Sequence, residues 1–177
     1  MAARGREAAL DRRQFLAGAT AAATVVSGTA VIHPGEAWGL EVKNLKPETM
    51  RTLIRMARDV YPHDRLADRF YAVAMKGYEE KAGSDAATKD LIEQGVADLD
   101  RRATAAHKAP YAEVGWEAER VAILRGIEKE KFFQTIRGNL VVSLYNQKEV
   151  WPFFGYEGES AVHGGYISRG FDDIAWL

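Results

Sequence analysis

Four histidines and an adjacent aspartate pair are the side chains in this sequence whose types could support proton transfer or metal chemistry, so their spacing comes first. His33, His63, His107 and His163 are scattered, with no partner four residues away and no carboxylate placed to complete a metal-binding triad. His63-Asp64 falls between two helical stretches, where such a pair could orient a proton but more commonly caps a helix. Asp172-Asp173 offers oxygen ligands for a hard cation, yet adjacent carboxylates point apart in most backbones, and an ion pair with Arg169 or a cap is the plainer role. His163 lies beside Gly164 and Gly165, where backbone can approach a ligand or partner closely. Zero cysteines excludes thiolate nucleophiles, cysteine zinc sites, iron-sulfur ligation and covalent haem attachment in this chain. The glycines form no dinucleotide fingerprint, phosphate loop or nucleophile elbow. The residues therefore predict no catalytic residue, no metal site and no cofactor-binding residue of the chain's own.

What stands out instead is the C-terminal end. Seven of the 18 aromatic residues (Trp151, Phe153, Phe154, Tyr156, Tyr166, Phe171 and Trp176) lie in the last 27 positions, interleaved with Gly155, Gly158, Gly164, Gly165 and Gly170. Such a stretch has no period with which to bury itself and is too aromatic to remain a solvated tail. It is expected to dock, with Trp151, Phe154, Tyr156, Tyr166, Arg169, Phe171, Asp172 and Trp176 as the partner-facing residues.

The elements that would carry this tail read as helices. Pro47 and Glu48 open the first, whose stripe is Met50, Leu53, Ile54, Ala57 and Val60 and which ends at Tyr61-Pro62. A second is predicted from about Asp64 to Gly83, with Leu66, Phe70, Val73, Ala74 and Tyr78 facing inward. Ser84 or Asp85 can cap a third, with Leu91, Ile92, Val96, Leu99 and Ala103 inward and Lys89, Glu93, Asp98 and Arg102 outward. A fourth runs from about Gly115 with Val121, Leu124 and Ile127, and bends or breaks near Lys129. The last carries Phe132, Phe133, Ile136, Leu140, Val141 and Leu144 and is expected to end at Trp151-Pro152. No run alternates with period two, so the fold class is all-α: a small bundle of four to five helices with an irregular glycine- and aromatic-rich C-terminal tail.

At 177 residues the chain is one domain's worth, and 24 basic against 25 acidic residues argue against nucleic acid as a partner. The first 37 residues differ in kind: four arginines and no lysine, then an uncharged run of eighteen, Phe15 to Ile32, and the small-residue pattern Gly35-Glu36-Ala37. This is the plan of an export signal. Asp11-Arg12-Arg13-Gln14-Phe15-Leu16 resembles the twin-arginine motif, with Arg12, Arg13, Phe15 and Leu16 as its signal residues, so the product is expected in the periplasm. Eighteen uncharged residues also sit at the lower limit for a membrane span, but Ala, Gly, Thr and Ser supply most of them. The expected organisation is a signal over 1–37, a helical domain over 38–154 and a docking tail over 155–177.

With these parts in order, the chain resembles the gluconate 2-dehydrogenase subunit 3 family, the small subunits of flavin-dependent dehydrogenases of the glucose-methanol-choline type. The likeness is carried by Arg12-Arg13, by Leu53 to Pro62 reading LIRMARDVYP, and by Phe132-Phe133 with Ile136-Arg137 leading through Trp151 to Phe154-Gly155-Tyr156 and Gly158. The ending GGYISRGFDDIAWL goes beyond that pattern. The resemblance implies a non-catalytic subunit that stabilises a large flavoprotein subunit and escorts it through the twin-arginine machinery. FAD would sit in that partner, and haem c in a third subunit, a c-type cytochrome. Two other classes stay open: a stand-alone periplasmic enzyme or ligand-binding protein with a pocket built around His163, Tyr166 and Asp172, and a transient assembly chaperone.

Overall fold

The computed structural model describes residues 30, 31, 41–165 and 167. Over these the protein is an all-α bundle of five helices: α1 (Pro47–Val60), α2 (Asp68–Ala82), α3 (Ala86–His107), α4 (Glu117–Gly126) and α5 (Lys131–Tyr145). Three turns of 3₁₀ helix, Tyr111–Glu113, Trp151–Phe154 and Ser160–His163, complete the helical content. The extended backbone among the described residues is a two-residue antiparallel ladder, β1 (Ala30–Val31) with β2 (Glu41–Val42).

The bundle is organised around α1, against which every other helix packs. Its sequence explains why. Met50, Leu53, Ile54, Met56 and Ala57 are all buried, and Thr49, Thr52 and Asp59 beside them as well, so the covered face is wider than one apolar stripe. Pro47 starts it and Tyr61, held out of helical geometry by Pro62, stops it.

Five boundaries or faces differ from those the sequence predicts. Helix α2 begins at Asp68, not Asp64, because Leu66 is buried in a turn closed by its N–H on the His63 carbonyl (3.1 Å), and Arg58 draws the Asp68 carboxylate to 2.7 Å. The inward stripe of α2 is Phe70, Tyr71, Ala74, Met75 and Tyr78, which leaves Val73 55% exposed. Glu93 does not simply face water: its carboxylate accepts from Lys46 N–H (3.0 Å) and the Thr49 hydroxyl (2.8 Å), capping the start of α1 from α3. Helix α5 ends at Tyr145, six residues before Trp151, and Trp151-Pro152 opens a 3₁₀ turn rather than stopping the helix. Val121 is half-buried and Val141 half-exposed, so neither is a core residue.

Other expectations hold. Asp85 caps α3, accepting from Ala87 N–H (3.0 Å) and the Thr88 hydroxyl (2.6 Å). The chain breaks over 127–130 before α5. Gly83 does close α2, but with φ −73° its backbone is ordinary; its value is space, since a Cβ there would meet the Asn44 side chain at 2.9 Å. Among the described residues no helix is long and apolar enough to cross a membrane.

Candidate docking face

The groove at the C-terminal end of the bundle is built from one long anchor. Val150 is fully buried and fixes the chain leaving α5. Gln147 donates to the Phe70 and Ser143 carbonyls (2.9 Å each), tying the turn to α2 and α5. The Trp151 indole N–H then donates to the Tyr145 carbonyl (2.8 Å), one of the orphan acceptors that every helix C-terminus leaves. The 3₁₀ turn ends at Gly155 in the left-handed region, φ 69°, where a side chain would be strained. Its Tyr156 N–H returns to the Trp151 carbonyl (3.1 Å).

The aromatic residues so positioned interlock at near-perpendicular angles. Phe154 packs edge-on against His63 (5.0 Å between ring centres) and Tyr145 (5.6 Å), Phe153 against Phe70 (5.8 Å), and Tyr156 against Trp151 (5.0 Å). These are favourable ring geometries, yet they do not finish the burial. Phe153, Phe154 and Tyr156 stay 40 to 46% exposed, and Val141, Val142 and Val162 more so. Beside them lies an open cavity of about 610 Å³, lined by Val141, Val142 and Tyr145 of α5 and by Asn146, Trp151, Phe154, Tyr156 and Glu159 after it.

Of the partner-facing residues predicted from sequence, Trp151, Phe154 and Tyr156 are therefore brought to one groove. Tyr166, Arg169, Phe171, Asp172 and Trp176 lie outside the described residues, as do Arg12, Arg13, Phe15 and Leu16 of the export motif. His163 is exposed and bonds through Nε2 to the Glu157 carbonyl (3.1 Å), closing the 157–163 loop instead of reaching into the groove. Sequence reasoning missed Val142, Tyr145, Asn146 and Glu159. Val141, Val142 and Tyr145 beside Leu140 and Leu144 were the available signal, since α5 carries more apolar positions than one stripe uses.

His63 forms the groove's inner support and is neither a helix cap nor free. Its Nε2 lies 2.7 Å from the Tyr145 hydroxyl. Burial, then the Arg58 charge, hold its pKa below the ordinary imidazole value, with Asp64 opposing; burial raises the Tyr145 hydroxyl. A folded-state pKa below the unfolded one means the unfolded chain binds the extra proton between the two values, so stability rises with pH through that window and is fully present above the unfolded value of about 6.5. Thermal melts of the wild type should fall as pH drops from 7 to 5, and His63→Gln should flatten that part of the curve. Parallel curves would remove His63 as the cause.

A second polar cluster lies in the core, and sequence reasoning missed it entirely. Arg120 of α4 and Asp59 of α1, both about 5% exposed, form a two-pronged ion pair: Nε to Oδ2 at 2.7 Å and Nη2 to Oδ1 at 2.8 Å. Arg120 Nη1 also donates to the Val114 (2.7 Å) and Gly115 (3.1 Å) carbonyls, and the Tyr111 hydroxyl donates to Asp59 (2.7 Å). Hydrogen bonding to Asp59 raises the Arg120 pKa, and burial beside that carboxylate pushes the Tyr111 hydroxyl up strongly. With every prong satisfied, this is a clamp between α1, α4 and the 3₁₀ turn rather than a reactive site. Its signal was Asp59, three residues from Met56 on the buried face of α1.

Among the described residues no group of three or more His, Asp or Glu side chains is gathered as a metal site requires. In comparisons with known proteins, no family model, no curated protein and no solved structure matches this chain.

Proposed function

We propose that this chain is the non-catalytic small subunit of an exported flavin-dependent dehydrogenase complex, stabilising the catalytic subunit and escorting it through twin-arginine export to the periplasm. The observation that supports docking is the groove face: Val141, Val142, Phe154 and Tyr156 line one groove and are left about half uncovered by the chain's own helices. Monomers rarely leave such a patch open unless something binds it. The oxidoreductase partner, its FAD and a c-type cytochrome come from the family resemblance. The twin-arginine route comes from Arg12-Arg13 with Phe15-Leu16.

The test is purification of the tagged chain from the periplasm of its own host. The proposal expects a stoichiometric large flavoprotein with dehydrogenase activity. Val142 is 65% exposed, so Val142→Glu should leave the melting temperature within about 1 °C while placing an unpaired charge in the interface. Capture of the flavoprotein should fall by tenfold or more, given about 2 kcal/mol for one badly placed interface residue. A monomer carrying its own small molecule would favour the stand-alone reading, and substoichiometric release of a client would favour the chaperone.

A further inference from the structure

The groove is not uniformly apolar: among the described residues that line it, the one formal charge is negative. Glu159 lines it beside Tyr145, Trp151, Phe154 and Tyr156, and its carboxylate has no hydrogen-bond or ion-pair partner among the described residues. A carboxylate lining the same groove as four aromatic rings is a combination with a specific complement. Ring faces carry negative quadrupole potential and attract cations, most strongly where water is displaced, and a nearby carboxylate supplies the counter-charge. The chain illustrates the attraction itself: the Lys148 ammonium lies 5.8 Å from the centre of the Trp151 ring.

Resting on the docking reading above, we propose that the groove receives an arginine side chain from the partner protein, its guanidinium between the aromatic rings and Glu159. Arginine fits better than lysine, because a planar and weakly hydrated guanidinium stacks on rings while its forked donors match a carboxylate. A protein side chain fits better than a free cation. The cavity is open, and its rim is formed by the exposed Val141 and Val142, which would be covered only by a ligand bringing its own apolar surroundings.

The full chain is titrated with N-acetyl-arginine amide and with its neutral isostere N-acetyl-citrulline amide, following the indole N–H resonance of Trp151. The proposal expects saturable binding of the arginine compound, about tenfold tighter than citrulline, as one desolvated cation–ring contact with its counter-charge implies. In Glu159→Gln, an exposed position where the fold is not at stake, the preference should shrink to about twofold. Equal responses to the two compounds, or no response to either, would overturn it. A response that appears only after Arg169→Gln would overturn it in favour of this chain's own arginine as occupant. The two readings fail separately. A flavoprotein captured by a groove that does not distinguish arginine from citrulline removes this inference alone, and charge selectivity without a flavoprotein partner removes the docking reading.

Discussion

Arg120→Leu is expected to lower the unfolding temperature by roughly 10 °C or more, the largest loss from any single substitution considered. The guanidinium is 5% exposed and neutralises a carboxylate whose side chain is 1% exposed. Removing it strands Asp59 as a buried charge and orphans the Val114 carbonyl, and breaking one half of such a pair typically costs about 3 to 5 kcal/mol. At about 2 to 4 °C per kcal/mol for a chain of this size, the shift is large and easily measured. Leaving the pair out altogether is a different matter. Replacing both charges with apolar side chains removes the desolvation penalty along with the attraction, so Asp59→Leu with Arg120→Leu, and Tyr111→Phe to retire the third partner, should recover much of the loss. If the combined variant melted lower than Arg120→Leu alone, the charges would be contributing more than mutual compensation, and the account of the clamp would be wrong.

The second large effect concerns a glycine whose neighbours make it irreplaceable. Gly95, in the middle of α3, lies under the Phe132 ring of α5, and a Cβ at that position would overlap the ring carbons. Phe132 is buried and has little room to retreat. Alanine ordinarily gains about 1 kcal/mol over glycine inside a helix, but overpacking of a filled core costs up to about 3. The balance predicts a net loss of about 2 kcal/mol for Gly95→Ala. Gly77 in α2 is the control, because nothing lies within 4 Å of the Cβ it lacks, so Gly77→Ala should stabilise by up to about 1 kcal/mol. Opposite signs in chemical denaturation decide the matter. Phe132→Leu, placed on the Gly95→Ala background, should relieve part of the strain if the ring is its source.

The contrast between these two glycines shows what was legible in the sequence. Each interrupts a helical run in the sequence in the same way, and only the partner helix separates them. The bundle itself was readable because Met50, Leu53, Ile54, Ile92, Val96, Leu99, Ile136, Leu140 and Leu144 recur at helical steps, and that period is a local property. Long-range partners are not local. Nothing in the neighbourhood of Asp59 announces Arg120, 61 positions later, and nothing near Glu93 announces the start of α1. The aromatic turn was half legible. Its composition required a docking surface, and the structure answers for Trp151, Phe153 and Phe154 that part of that surface is their own bundle, through Tyr145, Phe70 and His63. The remainder of their area is what the proposed partner would cover.

The lead-in to the bundle carries one more consequence. Glu79 of α2, 5% exposed, accepts three successive backbone N–H groups, those of Lys43 (2.6 Å), Asn44 (2.6 Å) and Leu45 (2.9 Å), and Asn44 returns a bond to the Glu79 carbonyl (3.0 Å). A chain end held this way is moored. Traction applied to the segment preceding Glu41 is delivered to this knot and to α2, before it can peel α1 away from the four helices it joins. Glu79→Gln would cut that mooring line by turning an amide donor toward at least one of the three N–H groups, so the protein should melt lower and also yield more easily when unravelled from the front in a pulling experiment.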